Sequence, residues 1–208
     1  MAYFPAFIEI EKKSVLVVGG GKKALKKIQI LLEFGASITV IAPEFIEEIQ
    51  KIDNPQVKLY ERGFHVGDVE GMDLVVAATE SKKVNHVIAE NCKERNIFVN
   101  VVDQIEDCTF IFPSYIKQGD VVAAFSSSGK SPVVTQYLKE KNHQIVNAEL
   151  GELTEFLGSI RGMVKEKIST EQKRKAFYKE ILMIGLGEER IPGEAEVEKL
   201  IEKWESVE

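Results

Sequence analysis

Three successive glycines, Gly19-Gly20-Gly21, stand directly behind the apolar run Ser14-Val15-Leu16-Val17-Val18 and ahead of a segment with helical periodicity. Gly19-x-Gly21-x-x-Ala24 has the G-x-G-x-x-G/A spacing. There the first glycine permits a tight turn and the second lets the backbone approach a pyrophosphate. The small third residue lets helix and strand pack closely. A helix opening at this point offers free N–H groups and a positive dipole end to phosphate. The chemistry implied is dinucleotide binding. An acid about 20 residues further on usually takes the ribose 2′-hydroxyl. Here the next strand ends Val40-Ile41-Ala42-Pro43-Glu44, so Glu44 comes slightly late, and no arginine sits there to hold a 2′-phosphate. NAD is therefore favoured over NADP.

Other residues offer chemistry with less specific spacing. Asp103 closes the run Ile97-Phe98-Val99-Asn100-Val101-Val102. A carboxylate at a strand end can receive a proton beside a bound cofactor, and aspartate also favours turns for its own sake. The segment Ser126-Ser127-Ser128-Gly129-Lys130-Ser131-Pro132 reads as an anion site or as a plain turn into a helix. Lys22, Lys23, Lys26 and Lys27 are anion contacts or a solvated helix face, the second reading being preferred for Lys26 and Lys27. His65, His86 and His143 are scattered without ligand spacing, so no metal site is expected. Cys92 and Cys108 form no CxxC and read as small core residues. Tyr137 and Lys141 have the Tyr-x-x-x-Lys spacing of short-chain dehydrogenases, with serines upstream. The glycine motif lacks that family's form, however, and the parallel strand pattern ends before the pair.

Regular elements must hold these residues. Apolar strands are expected at 14–18, 37–41, 57–61, 73–78 and 97–102, with helices at 22–34, 44–52 and 81–95. Strands alternating with helices of this length imply βαβ units and a parallel sheet. After about residue 108, strand-like segments at 109–116 and 120–127 flank Lys117-Gln118-Gly119 and suggest an antiparallel hairpin. From about 132 the pattern is helical, with an apolar stripe from Leu150 to Val164 and another through Val197, Leu200, Ile201 and Trp204. The chain of 208 residues carries 27 lysines and arginines against 33 acids, a net charge of -6. Nucleic acid and anionic membrane surfaces are thereby disfavoured as partners. No apolar run approaches the about 20 residues that span a bilayer, and the N-terminus lacks a secretory pattern. A cytoplasmic location is expected.

Several segments in register resemble the precorrin-2 dehydrogenase family, the siroheme synthase N-terminal module. They are Phe4-Pro5-Ala6-Phe7, VLVVGGG at 15–21, the stretch from Glu33 to Pro43, VVAAT at 75–79 with Val84-Asn85, IFVNVVD at 97–103, FIFPSYI at 110–116 and SSSGKSP at 126–132. The resemblance implies an α/β chain with an NAD-binding Rossmann domain over 1–112, an antiparallel dimerisation segment over 113–145 and a helical domain over 146–208. It implies NAD-dependent dehydrogenation of precorrin-2 to sirohydrochlorin by a homodimer, with Fe²⁺ insertion giving siroheme in some members. Asp103 matches the catalytic aspartate. Cofactor contacts fall on Gly19, Gly21, Lys22, Lys23, Pro43, Glu44 and Thr79. Ser127 matches a serine at the tetrapyrrole pocket that can be phosphorylated in relatives, and Lys130 is a further anion contact. Relatives usually follow the glycines with one variable residue, Val-Ala, then an Arg-Lys pair. Here Lys23 replaces the small apolar residue. The rival reading is a regulatory NAD-sensing module without catalysis.

Overall fold

The computed structural model describes residues 3–188 and 190–206. It divides into two compact units, Met1–Phe112 and Pro113–Glu208. In the first unit β1 (Ser14–Val18), β2 (Ser37–Ala42), β3 (Val57–Glu61), β4 (Leu74–Ala77) and β5 (Phe98–Val101) form a sheet of order β3-β2-β1-β4-β5. Every pairing in it is parallel. The helices are α1 (Lys22–Glu33), the single turn α2 (Glu47–Gln50) and α3 (Lys82–Glu94).

The apolar run of β1 is continuous because both of its faces are covered. Val15 and Val17 join Ala24, Ile28 and Leu31 of α1 in one core. Leu16 and Val18 join Ile88, Ala89 and Cys92 of α3 in the other. Alternate side chains of a strand point to opposite faces, so a strand between two helical layers has no polar side. Each such side chain contributes about 1.5–3 kcal/mol on burial. Gly35, at φ +77°, ends α1 in a conformation that glycine adopts without penalty.

Two expected elements are shorter than their patterns. The helix expected over 44–52 is reduced to α2, because the Ile46 N–H bonds the Gly20 carbonyl at 2.9 Å and draws residues 43–46 across the glycine turn. The strand expected from 109 begins only at Ser114. Before it, the N–H groups of Thr109 and Phe110 return to the Val99 carbonyl, at 2.8 and 3.4 Å. Phe110 and Phe112 then pack on the α1-side core.

The second unit opens with the antiparallel hairpin β6 (Ser114–Gln118) and β7 (Val121–Phe125), followed by α4 (Pro132–Asn142), α5 (Ala148–Ser159), α6 (Arg161–Lys167), α7 (Glu171–Glu188) and α8 (Glu194–Ser206). The stripe from Leu150 to Val164 is divided between α5 and α6, which meet at Ile160. Ile160, Val164, Ile168, Phe177, Ile181, Val197 and Ile201 make the helical core. No helix is long and apolar enough to cross a membrane among the described residues.

Candidate functional site

The strand order changes direction at β1, whose chain runs on to β2 while β4 pairs with its other edge. Ligands of open α/β sheets bind in the crevice at the carboxyl end of such a switch point. The glycine turn lies there. At Gly19, φ is +139° and a Cβ would stand 2.4 Å from the Ala78 carbonyl oxygen, so only glycine lets β4 pass this closely. At Gly20 a Cβ would stand 1.8 Å from the Glu44 carbonyl oxygen. Sequence spacing gave Gly20 no role; its requirement comes from the loop after β2. Gly21 is different: a Cβ there meets nothing within 4 Å, and the residue caps α1 without a side-chain hydrogen bond. The N–H groups of Lys22, Lys23 and Ala24 have no acceptor among the described residues. Free space above unpaired first-turn donors fits a pyrophosphate.

Pro43 and Glu44 are both exposed at the tip of β2, where Glu44 can accept from a ribose hydroxyl. Pairing of β3 with β2 brings the Arg62 N–H to the Ala42 carbonyl at 2.9 Å. Its guanidinium is held by both Asp68 oxygens, at 2.8 and 2.7 Å. Hydrogen bonding from Arg62, joined by the His65 N–H, holds the Asp68 carboxyl below its ordinary value against the opposing effect of burial.

Thr79 follows β4. Its hydroxyl donates to Asn85 Oδ1 at 2.7 Å, its N–H donates to the same oxygen at 3.2 Å, and the Asn85 amide returns a bond to the Thr79 carbonyl at 3.0 Å. Asn85 is buried on α3. It is a positioning residue that shapes the loop facing the glycine turn, and its signal was a lone amide on the apolar face of a helix.

Asp103 follows β5 with φ +63°, a left-handed conformation that aspartate adopts more readily than most residues. Outliers of this kind cost of order 1–3 kcal/mol and cluster at functional sites. Its exposed carboxylate accepts from the ammonium of Lys23, which stands 80 residues earlier in the first turn of α1. The lysine that departs from the family pattern is therefore the partner of the candidate catalytic acid.

Behind Asp103 the chain is pinned. Cys108 Sγ accepts from the Val101 N–H at 3.1 Å, and Gln104 Nε2 donates to Asp107 at 3.1 Å. Buried Asp107 is flanked by His86 Nδ1 at 3.0 Å and Lys93 Nζ at 3.4 Å. Burial raises its pKa, but His86 and Lys93 outweigh that and leave the carboxyl below its ordinary value. His86, Glu90 and Asp107 have donor atoms within 4.8 Å of one another. Lys93, which also bonds Glu90 at 3.0 Å, already brings a cation to that cluster. Burial pushes the Cys92 thiol up to about 11 and the Cys108 thiol upward as well, so both stay protonated at neutral pH. Lys27, expected on a solvated face, instead lies with Nζ 3.9 Å from the Phe112 ring centroid. Burial holds its ammonium below the usual lysine value.

Ser127 and Lys130 belong to the second unit. The Ser127 hydroxyl donates to the Ser131 carbonyl at 3.0 Å and accepts from the Ser131 N–H at 2.9 Å, closing the turn before α4. Ser128 and Gly129 have φ of +54° and +78°. Lys130 is exposed. Gly19, Gly21, Lys22, Lys23, Pro43, Glu44, Thr79 and Asp103 thus share the carboxyl edge of one sheet, while Ser127 and Lys130 share a turn of the other unit.

A parallel sheet with this order, a glycine turn at its switch point and free donors above it define a Rossmann-type dinucleotide-binding protein. Residues 6–114 match the model of a family described as "Putative NAD(P)-binding". The chain belongs to that family. It is similar to siroheme synthases, among them one from Photorhabdus laumondii at 36% identity over 181 residues, 86% of this chain and 38% of that protein. One from Pseudoalteromonas translucida is 38% identical over 179 residues, 86% of this chain and 38% of the relative. The chain thus spans about two fifths of the length of the curated relatives it matches. A solved structure titled "SirC, precorrin-2 dehydrogenase" matches 99% of this chain and 100% of its own, with a TM-score of 0.75 at 24% identity, and shares the fold.

Proposed function

We propose that this chain oxidises precorrin-2 to sirohydrochlorin with NAD as the electron acceptor, a step of siroheme biosynthesis. The observation that carries the reading is Asp103, exposed in a left-handed turn at the carboxyl edge of the sheet and bonded by Lys23 of the phosphate-facing helix turn. The names of the siroheme synthases and of the precorrin-2 dehydrogenase structure support the substrate.

Bound NAD supplies the hydride acceptor. The N–H groups at the start of α1 and the ammonium of Lys22 hold the pyrophosphate, with Gly19 and Gly21 giving the approach. Glu44 accepts from a ribose hydroxyl, which favours NAD over NADP, while Pro43 and Thr79 border the nucleotide. Asp103 Oδ receives the proton that the substrate loses, with Lys23 fixing the carboxylate. In the second unit Ser127 and Lys130 offer a hydroxyl and a cation, groups suited to a carboxylate-rich substrate. Ferrochelation to siroheme, with Fe²⁺ as substrate, would use the same aspartate to take pyrrole protons. A homodimer in the cytoplasm is part of this reading. It is supported by α4, which buries no residue of its own and exposes Val133, Val134 and Tyr137.

The test is anaerobic incubation of the purified chain with NAD and precorrin-2, followed by absorbance. Reduced nicotinamide and the sirohydrochlorin spectrum should rise together. Tight NAD binding without reduction would contradict the proposal and leave a sensor. Adding Fe²⁺ to sirohydrochlorin then reads the second activity, which is absent if the rate equals the uncatalysed one.

A further inference from the structure

A cavity of about 410 Å³ opens between α6 and α7 in the second unit, lined by Arg161, Lys165, Glu171, Arg174, Lys175 and Tyr178. Its origin is visible in the sequence. Residues 161 and 165 share one face of α6, and 171, 174, 175 and 178 share one face of α7. Val164, Phe177 and Ile181, at neighbouring positions of the same helices, are buried in the helical core. The polar residues of both helices line the one cavity.

Four cations meet one carboxylate there, in a chain whose acids outnumber its bases. Two other cations of this unit do have acidic partners: Arg190 holds Glu196 at 2.9 Å and Lys203 holds Glu180 at 2.7 Å. The side chains of Arg161, Lys165 and Lys175 make no ion pair or hydrogen bond among the described residues. Arg174 is anchored. One of its amino nitrogens donates to the carbonyls of Ile168 and Ser169, at 2.8 and 2.9 Å, and so closes the end of α6. The rest of that guanidinium fork has no acceptor among the described residues. Tyr178 stacks edge-on against Phe177 with ring centroids 5.4 Å apart, and its hydroxyl has no hydrogen-bond partner among the described residues. Burial raises the phenol pKa, against the pull of Arg161 and Arg174, so the hydroxyl remains a donor. Like charges gathered on facing helices repel, and a polyanion between them relieves that repulsion while taking the free donors. The volume lies within the range of small-molecule sites.

We propose that the cavity between α6 and α7 binds a small polyanion, a ligand carrying two or more phosphate or carboxylate groups that bridges Arg161 and Lys165 on one helix to Arg174, Lys175 and Tyr178 on the other. This site is separate from the dinucleotide site and does not rest on the proposed reaction.

The test is calorimetric titration of the full chain with tripolyphosphate and, in a second arm, with citrate, both at fixed ionic strength. One saturable site per chain is expected in at least one arm, and the tighter arm identifies phosphate or carboxylate as the preferred group. The variant carrying both Arg161→Glu and Lys165→Glu should lose more than tenfold in affinity, since both residues are exposed and reversal leaves the core intact. Tyr178→Phe should lose about threefold. NAD binding, measured separately, should be unchanged in both variants and reports that the chain is folded. Heats no greater than dilution in both arms, or equal affinity in wild type and the double variant, would overturn the proposal.

Discussion

The two units treat their polar groups in opposite ways. Around the glycine turn several polar side chains are tied to a neighbour: Thr79 to Asn85, Arg62 to Asp68, Asp103 to Lys23. Its free donors are backbone N–H groups at the start of α1, held in place by the sheet. In the second unit α4 buries none of its residues, and a set of cations on α6 and α7 stands without acidic partners. The first unit is a closed scaffold with a few deliberate openings. The second, outside its own helical core, leaves surfaces without partners among the described residues.

Breaking the scaffold should cost most. In Gly20→Ala the new Cβ would have to displace the Glu44 carbonyl, 1.8 Å away. The expected loss is about 3 kcal/mol of stability, read by urea unfolding, with NAD affinity falling in parallel. Gly21→Ala, whose Cβ meets nothing within 4 Å of the protein, should leave stability nearly unchanged while weakening NAD binding. That pair separates structural glycine from ligand-facing glycine. On the other side of the comparison, Val134→Asp with Tyr137→Asp should convert a dimer to a monomer in sedimentation velocity without lowering the unfolding midpoint. An unchanged sedimentation coefficient would remove α4 from the interface.

Smaller effects sharpen the contrast. Lys23→Ala should reduce kcat about tenfold through loss of the partner of Asp103, with a lesser rise in KM for NAD. An effect confined to KM would make Lys23 a phosphate contact alone. The Arg62–Asp68 pair gives the mildest prediction. The Asp68 pKa is depressed in the folded chain, so its stabilisation is complete above the unfolded value near about 4 and is lost as pH falls through the folded one. Wild type should show a falling urea midpoint below about pH 4. Asp68→Asn should start lower at neutral pH and fall less over that range.

The sheet and the glycine turn were legible because their signals are local: β-branched runs, helical spacing and Gly19-x-Gly21-x-x-Ala24 lie within one βαβ unit. What was not legible depends on residues distant in the chain. Gly20 is required by a carbonyl beyond β2, and Arg62 reaches the β2 tip only through strand pairing. Lys23 looked like a misfit because its partner lies 80 residues away. The serine run at 126–128 read as an anion site or a plain turn, and the Ser127 hydroxyl's bonds to Ser131, which close that turn, could not be read from the run itself. Periodicity also overstated the helix after β2, where Ile46 is drawn to the glycine turn instead.

The central claim is that Asp103 takes a proton from a substrate beside a nucleotide that other residues hold. Asp103→Asn keeps the size and the left-handed turn while removing the charge. Single-turnover reduction of NAD by precorrin-2 should slow by about 10²–10⁴-fold in that variant, with the dissociation constant for NAD within about twofold of wild type. Turnover at the wild-type rate would contradict the account.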